Sequence, residues 1–186
     1  MDVSEAIQRR RSIKRFQDKP VPRADLERLL DAATRAPNHR MTQPWRFHVL
    51  GPEARAAYGL ALGERKARKV EDPEAARAVR ERTAQEHRNL PEMIAVGMLL
   101  HENDEIREED YAAVMMGIGA MSLLAVEMGL GTHIKTGGVM GDAAARSAAG
   151  AAEGERIVAI VNVGFPAEVP PPKDRRPAAE LTDWRP

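Results

Sequence analysis

The densest chemistry in the chain lies near its start. In Gln8-Arg9-Arg10-Arg11-Ser12-Ile13-Lys14-Arg15, five positive charges fall within seven positions. Arg10 and Arg11 present planar forks of donors matched to a phosphate, Ser12 adds a hydroxyl and Lys14 a point charge. The plainer alternative is a solvated helix end, where cations complement the C-terminal dipole. A second cluster, Arg35-Ala36-Pro37-Asn38-His39-Arg40-Met41-Thr42-Gln43-Pro44-Trp45, is rich in hydrogen-bonding side chains and joins a helix to a strand. Loops of this kind carry function disproportionately, although an ordinary capped turn with Trp45 as a core anchor explains it too. The third, Gly129-Leu130-Gly131-Thr132-His133-Ile134-Lys135-Thr136-Gly137-Gly138, lets backbone amides approach a ligand closely. It matches neither a dinucleotide fingerprint nor a Walker loop. The tail adds Lys173, Arg175 and Arg176, as a fourth basic patch or a solvated end.

Several chemistries are excluded. The chain has no cysteine, which removes disulfides, thiolate catalysis and cysteine-ligated metals. There is no HExxH, no clustered metal-ligand spacing and no GxSxG. The many carboxylates of the middle lack an apolar setting that would make one of them a base. With no nucleophile or base of its own in view, an enzyme built from this chain would borrow its chemistry from a cofactor.

These patches need a frame. A chain of 186 residues with 43% apolar and 30% charged residues fits one globular domain. Aromatics make up only 4%, so burial through an oligomer interface is a natural supplement. Lys plus Arg equals Asp plus Glu at 28 each, so any electrostatic function must be local. No secretory leader is legible and Tyr111–Leu130 reads as a buried helix rather than a membrane span, which gives a cytoplasmic expectation.

Val3 and Ile7 suit one face of a short opening helix, and Pro22 suits the first turn of the next. Leu26, Leu29, Leu30 and Ala33 predict a helix over 23–35. Phe47–Leu50, Met93–Leu100 and Ile157–Val163 read as strands. Residues 53–88 read as one or two surface helices broken near Asp72-Pro73, their charges forming a solvated face. Asp110–Leu130 reads as a central helix terminated by Gly129 and Gly131. The residues after Pro170 read as an extended proline-rich tail. This order implies a layered α+β domain, with helices on the faces of a sheet.

In this order the motifs resemble the flavin-dependent nitroreductase family, and most of all its short bacterial NAD(P)H nitroreductases. The likeness rests on the initial helix followed by Arg10-Arg11-Ser12-Ile13-Lys14-Arg15-Phe16 and the helix ending in Arg35-Ala36-Pro37-Asn38-His39. It extends to Gln43-Pro44-Trp45-Arg46-Phe47, the glycine-flanked Ile134-Lys135-Thr136-Gly137, and the closing Pro172-Lys173-Asp174-Arg175-Arg176-Pro177. It covers both ends and the third quarter of the chain; residues 53–88 do not match specifically.

The resemblance implies one FMN-binding domain over 1–186, with a mainly antiparallel sheet flanked by helices. It also implies a homodimer holding FMN at the subunit interface. Arg10, Arg11 and Ser12 would hold the FMN phosphate and ribityl chain, with Lys14 near the polar edge of the ring. Arg35 and His39 would reach the flavin held mainly by the other subunit. Ile134, Lys135 and Thr136 would line the ring, and Lys173 and Arg175 would complete the phosphate clamp. Leu124, Ala125, Val126, Glu127, Met128 and Gly129 correspond to a stretch associated with the nicotinamide nucleotide. No catalytic side chain and no metal are implied; Lys14 would act electrostatically. Larger members carry an acidic residue where this chain has Lys135-Thr136-Gly137, and their middle segment is longer.

The function so implied is FMN-dependent NAD(P)H oxidoreduction by ping-pong hydride transfer, with nitroaromatics, quinones or related compounds as acceptors. A flavin-binding carrier or sensor without NAD(P)H turnover is the alternative. A basic-armed nucleic-acid binder lacks stacking aromatics beside its basic residues and a basic overall balance. Neither nucleic acid nor membrane is an expected partner.

Overall fold

The computed structural model describes residues 1–186. Side-chain caps start several of its helices. Asp2 accepts from the Glu5 N–H at 2.8 Å and starts α1, Val3–Arg9. Pro22 occupies the cap of α2, Arg23–Thr34, one position before the expected first turn. After β1, Trp45–Val49, Gly51-Pro52 opens α3, Pro52–Ala67. Asp72 accepts from the Ala75 N–H at 2.6 Å and starts α4, Pro73–Arg88. Then come β2, Glu92–Leu99, α5, Asp104–Glu127, β3, Gly131–Lys135, α6, Ala143–Ala148, and β4, Glu155–Gly164.

The four strands form one sheet in the order β1-β2-β4-β3, every pair antiparallel. Alternation along β2 and β4 gives the sheet two apolar faces. Ile94, Val96, Val161 and Val163 face a core completed by Leu26, Leu29 and Ala33 of α2 and by Val114, Ile118 and Met121 of α5. Met93, Ala95, Ile157 and Ile160 face a second core completed by Tyr58 and Ala61 of α3 and Ala145 of α6. Trp45 anchors the first core, its indole N–H reaching the Ala113 carbonyl at 3.5 Å.

Helix α5 and strand β3 differ from the sequence reading. Helix α5 begins at Asp104 rather than Asp110, because the Asn103 carboxamide caps the N–H groups of Glu105 and Ile106. It ends at Gly129, whose φ of +72° suits only a residue without Cβ. Gly131 terminates nothing; it opens β3, which was read as part of a glycine-rich loop. A five-residue edge strand takes its stability from pairing with β4, not from its own apolar content.

The charged middle is not only a solvated face. Tyr58, Arg55, Thr83 and His87 are buried there. Helices α3 and α4 approach so closely that a Cβ on Gly59 would meet the Thr83 oxygen at 2.7 Å and the His87 Cβ at 2.8 Å. Burial also pushes up the carboxyl of Glu92, at the start of β2 just beyond this segment, with Arg55 only partly opposing at 3.9 Å. Helix α5 is long and apolar enough to cross a bilayer by composition alone, but here it lies on the sheet beside α2.

Candidate functional site

The chain leaves α1 at Arg10 and runs alongside the edge strand β3. Ser12 bridges Thr132 in parallel fashion, the Ile13 N–H donates to the Thr132 carbonyl at 2.9 Å, and Ile13 packs onto Gly131. With Ile13 buried, its neighbours Ser12 and Lys14 are turned outward. Beyond β4 the chain returns along the same segment. Phe16 bridges Pro166, the Gln17 N–H donates to the Phe165 carbonyl at 2.8 Å, and the Ala167 N–H donates to the Arg15 carbonyl at 3.0 Å. The proline-rich tail therefore ends up facing the basic start.

Between them lies a cavity of about 570 Å³. Arg10, Arg11, Ser12 and Lys14 line one side, Lys173 and Arg175 the other. Arg15 and Glu168 also line it and pair at 3.3 Å; the sequence reading had given Arg15 no task. Arg9 lies outside and pairs with Glu5 on the helix surface, as a solvated residue would. The other five cations have no carboxylate partner in the chain. Arg11 donates through Nη1 to the carbonyls of Gln8 and Arg10, at 2.6 and 2.9 Å, which holds its guanidinium in place. Its buried Nε has no acceptor. An anion with several oxygens supplies what these donors lack.

The lining is rich in charged residues, with Ile7, Pro170, Pro171 and Pro172 as its apolar part. The cavity suits a phosphate and a polyol chain. The remaining sequence candidates lie outside it. Ile134 packs against the α5 side of the sheet, Lys135 points to the opposite face, and Thr136 is exposed. Arg35 and His39 are exposed at the end of α2. Of Leu124–Gly129, Ala125 is fully buried, Leu124 and Met128 pack on the core, and only Glu127 and Gly129 are exposed.

The loop after α2 is held firmly. Asn38 accepts from the Gln43 N–H at 2.8 Å, and the Thr42 hydroxyl donates to the buried Asp110 carboxylate. Met41 and Gln43 adopt φ of +51° and +47°, a strained arrangement for residues that are not glycine. Glu109 on α5 meets His39 Nδ1 at 2.9 Å and Arg40 Nε at 3.0 Å, and both hold its carboxyl below the usual carboxylate range.

One group had no sequence signal. His87, buried in α4, lies 3.4 Å from the Lys135 amine, and burial together with Lys135 pushes His87 below the ordinary histidine range. Burial and then Lys66 lower Lys135, while burial, Lys135 and Lys14 lower His133.

Residues 7–165 match the model of the Nitroreductase family. The chain is 33% identical to the "Putative NAD(P)H nitroreductase YfhC" of Bacillus subtilis (strain 168), over 94% of this chain and 90% of that protein. The nitroreductase-like family protein from Bacillus cereus superposes with a TM-score of 0.86 at 29% identity, covering 100% of this chain and 96% of that one. A single-site variant of the FMN and NADPH-dependent nitroreductase NfnB from Sphigopyxis sp. strain HMH superposes with a TM-score of 0.80 at 25% identity. It covers 100% of this chain and 99% of that one.

Proposed function

Because the chain belongs to the nitroreductase family, we propose that it is an FMN-dependent NAD(P)H oxidoreductase that reduces nitroaromatics, quinones or related acceptors. FMN, when bound, supplies the centre that takes hydride from NAD(P)H and passes electrons to the acceptor. The single observation that carries the reading is the basic cavity, whose unpartnered donors come from the two ends of the chain.

Arg10, Arg11, Ser12, Lys173 and Arg175 would neutralise and orient the phosphate. Lys14, between that end and β3, would stabilise negative charge on the ring electrostatically. A second copy would bring Arg35 and His39 to the site, with Ile134, Lys135 and Thr136 along the ring. A homodimer is also supported by apolar surface left uncovered. Met116 is 46% exposed on α5, between Ala112 and Gly119 at helical spacing, and Val3 and Ile7 of α1 are 70% and 58% exposed. Within the nicotinamide-associated stretch, Glu127 and Gly129 are the residues open to a nucleotide. NAD(P)H and acceptor would use the pocket in turn, giving ping-pong kinetics. Residues 1–186 would act as one FMN-binding domain in the cytoplasm, with neither nucleic acid nor membrane as partner.

The purified protein is expected to be yellow, to retain FMN, and to bleach on anaerobic addition of NADH or NADPH. A colourless protein that takes up no FMN would sink the reading. A yellow protein that neither nucleotide bleaches would instead be a flavin carrier or sensor.

A further inference from the structure

Behind the basic cavity lies a polar group in which Lys135, placed along the flavin ring above, meets residues that the FMN reading gives no task. His133 and Lys135 are two apart on β3 and therefore share the face of the sheet that α3 and α4 cover. His87 Nδ1 lies 2.8 Å from the Thr83 carbonyl, which can only accept, so Nδ1 carries the hydrogen. His87 Nε2 is then the acceptor facing the Lys135 amine at 3.4 Å. Tyr58 packs against the same imidazole, its ring centre 5.9 Å away. On the neighbouring strand Asn162 stands directly opposite His133, is 2% exposed, and has an Oδ1 without a hydrogen-bond partner. A buried acceptor left unpaired is costly and gains from any new N–H beside it.

The charges around this group are nearly all of one sign. Lys14 acts on it from the cavity wall, Lys66 from α3, and Lys135 from β3 itself. Arg65 of α3 lies against Gly138 just beyond the strand. Glu86 of α4 is the carboxylate that opposes them. Burial and mutual repulsion hold His87, His133 and Lys135 all below their ordinary ranges, so near neutral pH the two imidazoles are uncharged. Negative charge placed at the Lys14 end opposes part of the repulsion felt by His133.

We propose that His133, Lys135 and His87 form a proton-accepting row, which takes up a proton from solvent when negative charge enters the cavity beside Lys14. This rests on the FMN reading, because FMN is the anion that enters. The proton settles on a ring nitrogen of His133, where Asn162 Oδ1 is available to accept the new N–H. Alternatively it settles on His87 Nε2, handed over by Lys135, which recovers a proton from solvent. No bond other than N–H changes and no electron moves. The row thereby offsets part of the negative charge that enters the cavity.

The test uses the full chain with and without FMN. The histidine ring C–H signals are followed by NMR against pH, with His133→Gln and His87→Gln assigning them. Without FMN both should titrate below about 6.5, the ordinary histidine value. With FMN at least one midpoint should move up. Binding that takes up a proton is favoured by acid, so FMN affinity should rise from pH 8 to pH 6 more steeply in the parent than in the double variant. If FMN binds but neither midpoint moves, and the two pH profiles run parallel, the row is not a proton acceptor although FMN is still the ligand. If FMN does not bind at all, the functional reading fails first and takes this one with it.

Discussion

The side chains that matter most are distinguished by missing partners. Arg10 has no hydrogen bond or ion pair from its guanidinium, whereas Arg11 spends Nη1 on two carbonyls that shape the chain after α1. Arg10→Ala should therefore probe ligand binding with little effect on folding. Losing one charged hydrogen bond costs about 1.5–3 kcal/mol, so FMN affinity measured by flavin fluorescence should drop roughly 10- to 150-fold. An unchanged affinity would remove Arg10 from the phosphate site. His87 gives a second prediction. Its folded-state value lies below that of the unfolded chain, so the unfolded chain binds more protons once pH falls under about 6.5. Stability attributable to its burial is present above that pH and is lost as pH falls toward the folded-state value. Urea unfolding should give a lower midpoint at pH 5.5 than at pH 7.5, and His87→Gln should flatten the difference. A parent midpoint that does not fall between these pH values would contradict the assignment.

Among the elements, the pairing of α3 with α4 is the least forgiving. Gly59 sits where the helices nearly touch, against the backbone oxygen of Thr83. Alanine normally favours a helix over glycine by about 1 kcal/mol, but here its methyl has nowhere to go. Gly59→Ala should destabilise by about 1–3 kcal/mol in urea unfolding and should loosen His87 from Lys135. A stabilised Gly59→Ala variant would mean that the two helices separate easily. Strand β3 carries the opposite lesson. It is short and polar at three of its five positions, yet β4 holds one side of it and Ser12 bridges to the other, which fixes Lys14 and His133 at one edge of the sheet.

At the scale of the molecule, the open question is what covers the apolar face of α5. Met116→Glu should leave the fold of the protomer intact, because the side chain is half exposed, but should disfavour a second copy. Sedimentation should show the parent at twice the chain mass and the variant at one, with weaker FMN retention. A parent that sediments as a monomer with full flavin would overturn the shared pocket. The sequence alone determined the helix over 23–34, strands β2 and β4, the family likeness and the basic character of both ends. These are properties of neighbours along the chain: apolar periodicity, capping residues and charge clustering. Tertiary structure decided that Arg10 and Lys173 share one cavity, that Arg15 joins them, that β3 is a strand, that His87 meets Lys135, and that Asn162 stands opposite His133. Those outcomes depend on strand register and helix packing between residues far apart in the chain. Such pairings are set by burial of the whole sheet, and no local stretch of sequence encodes them.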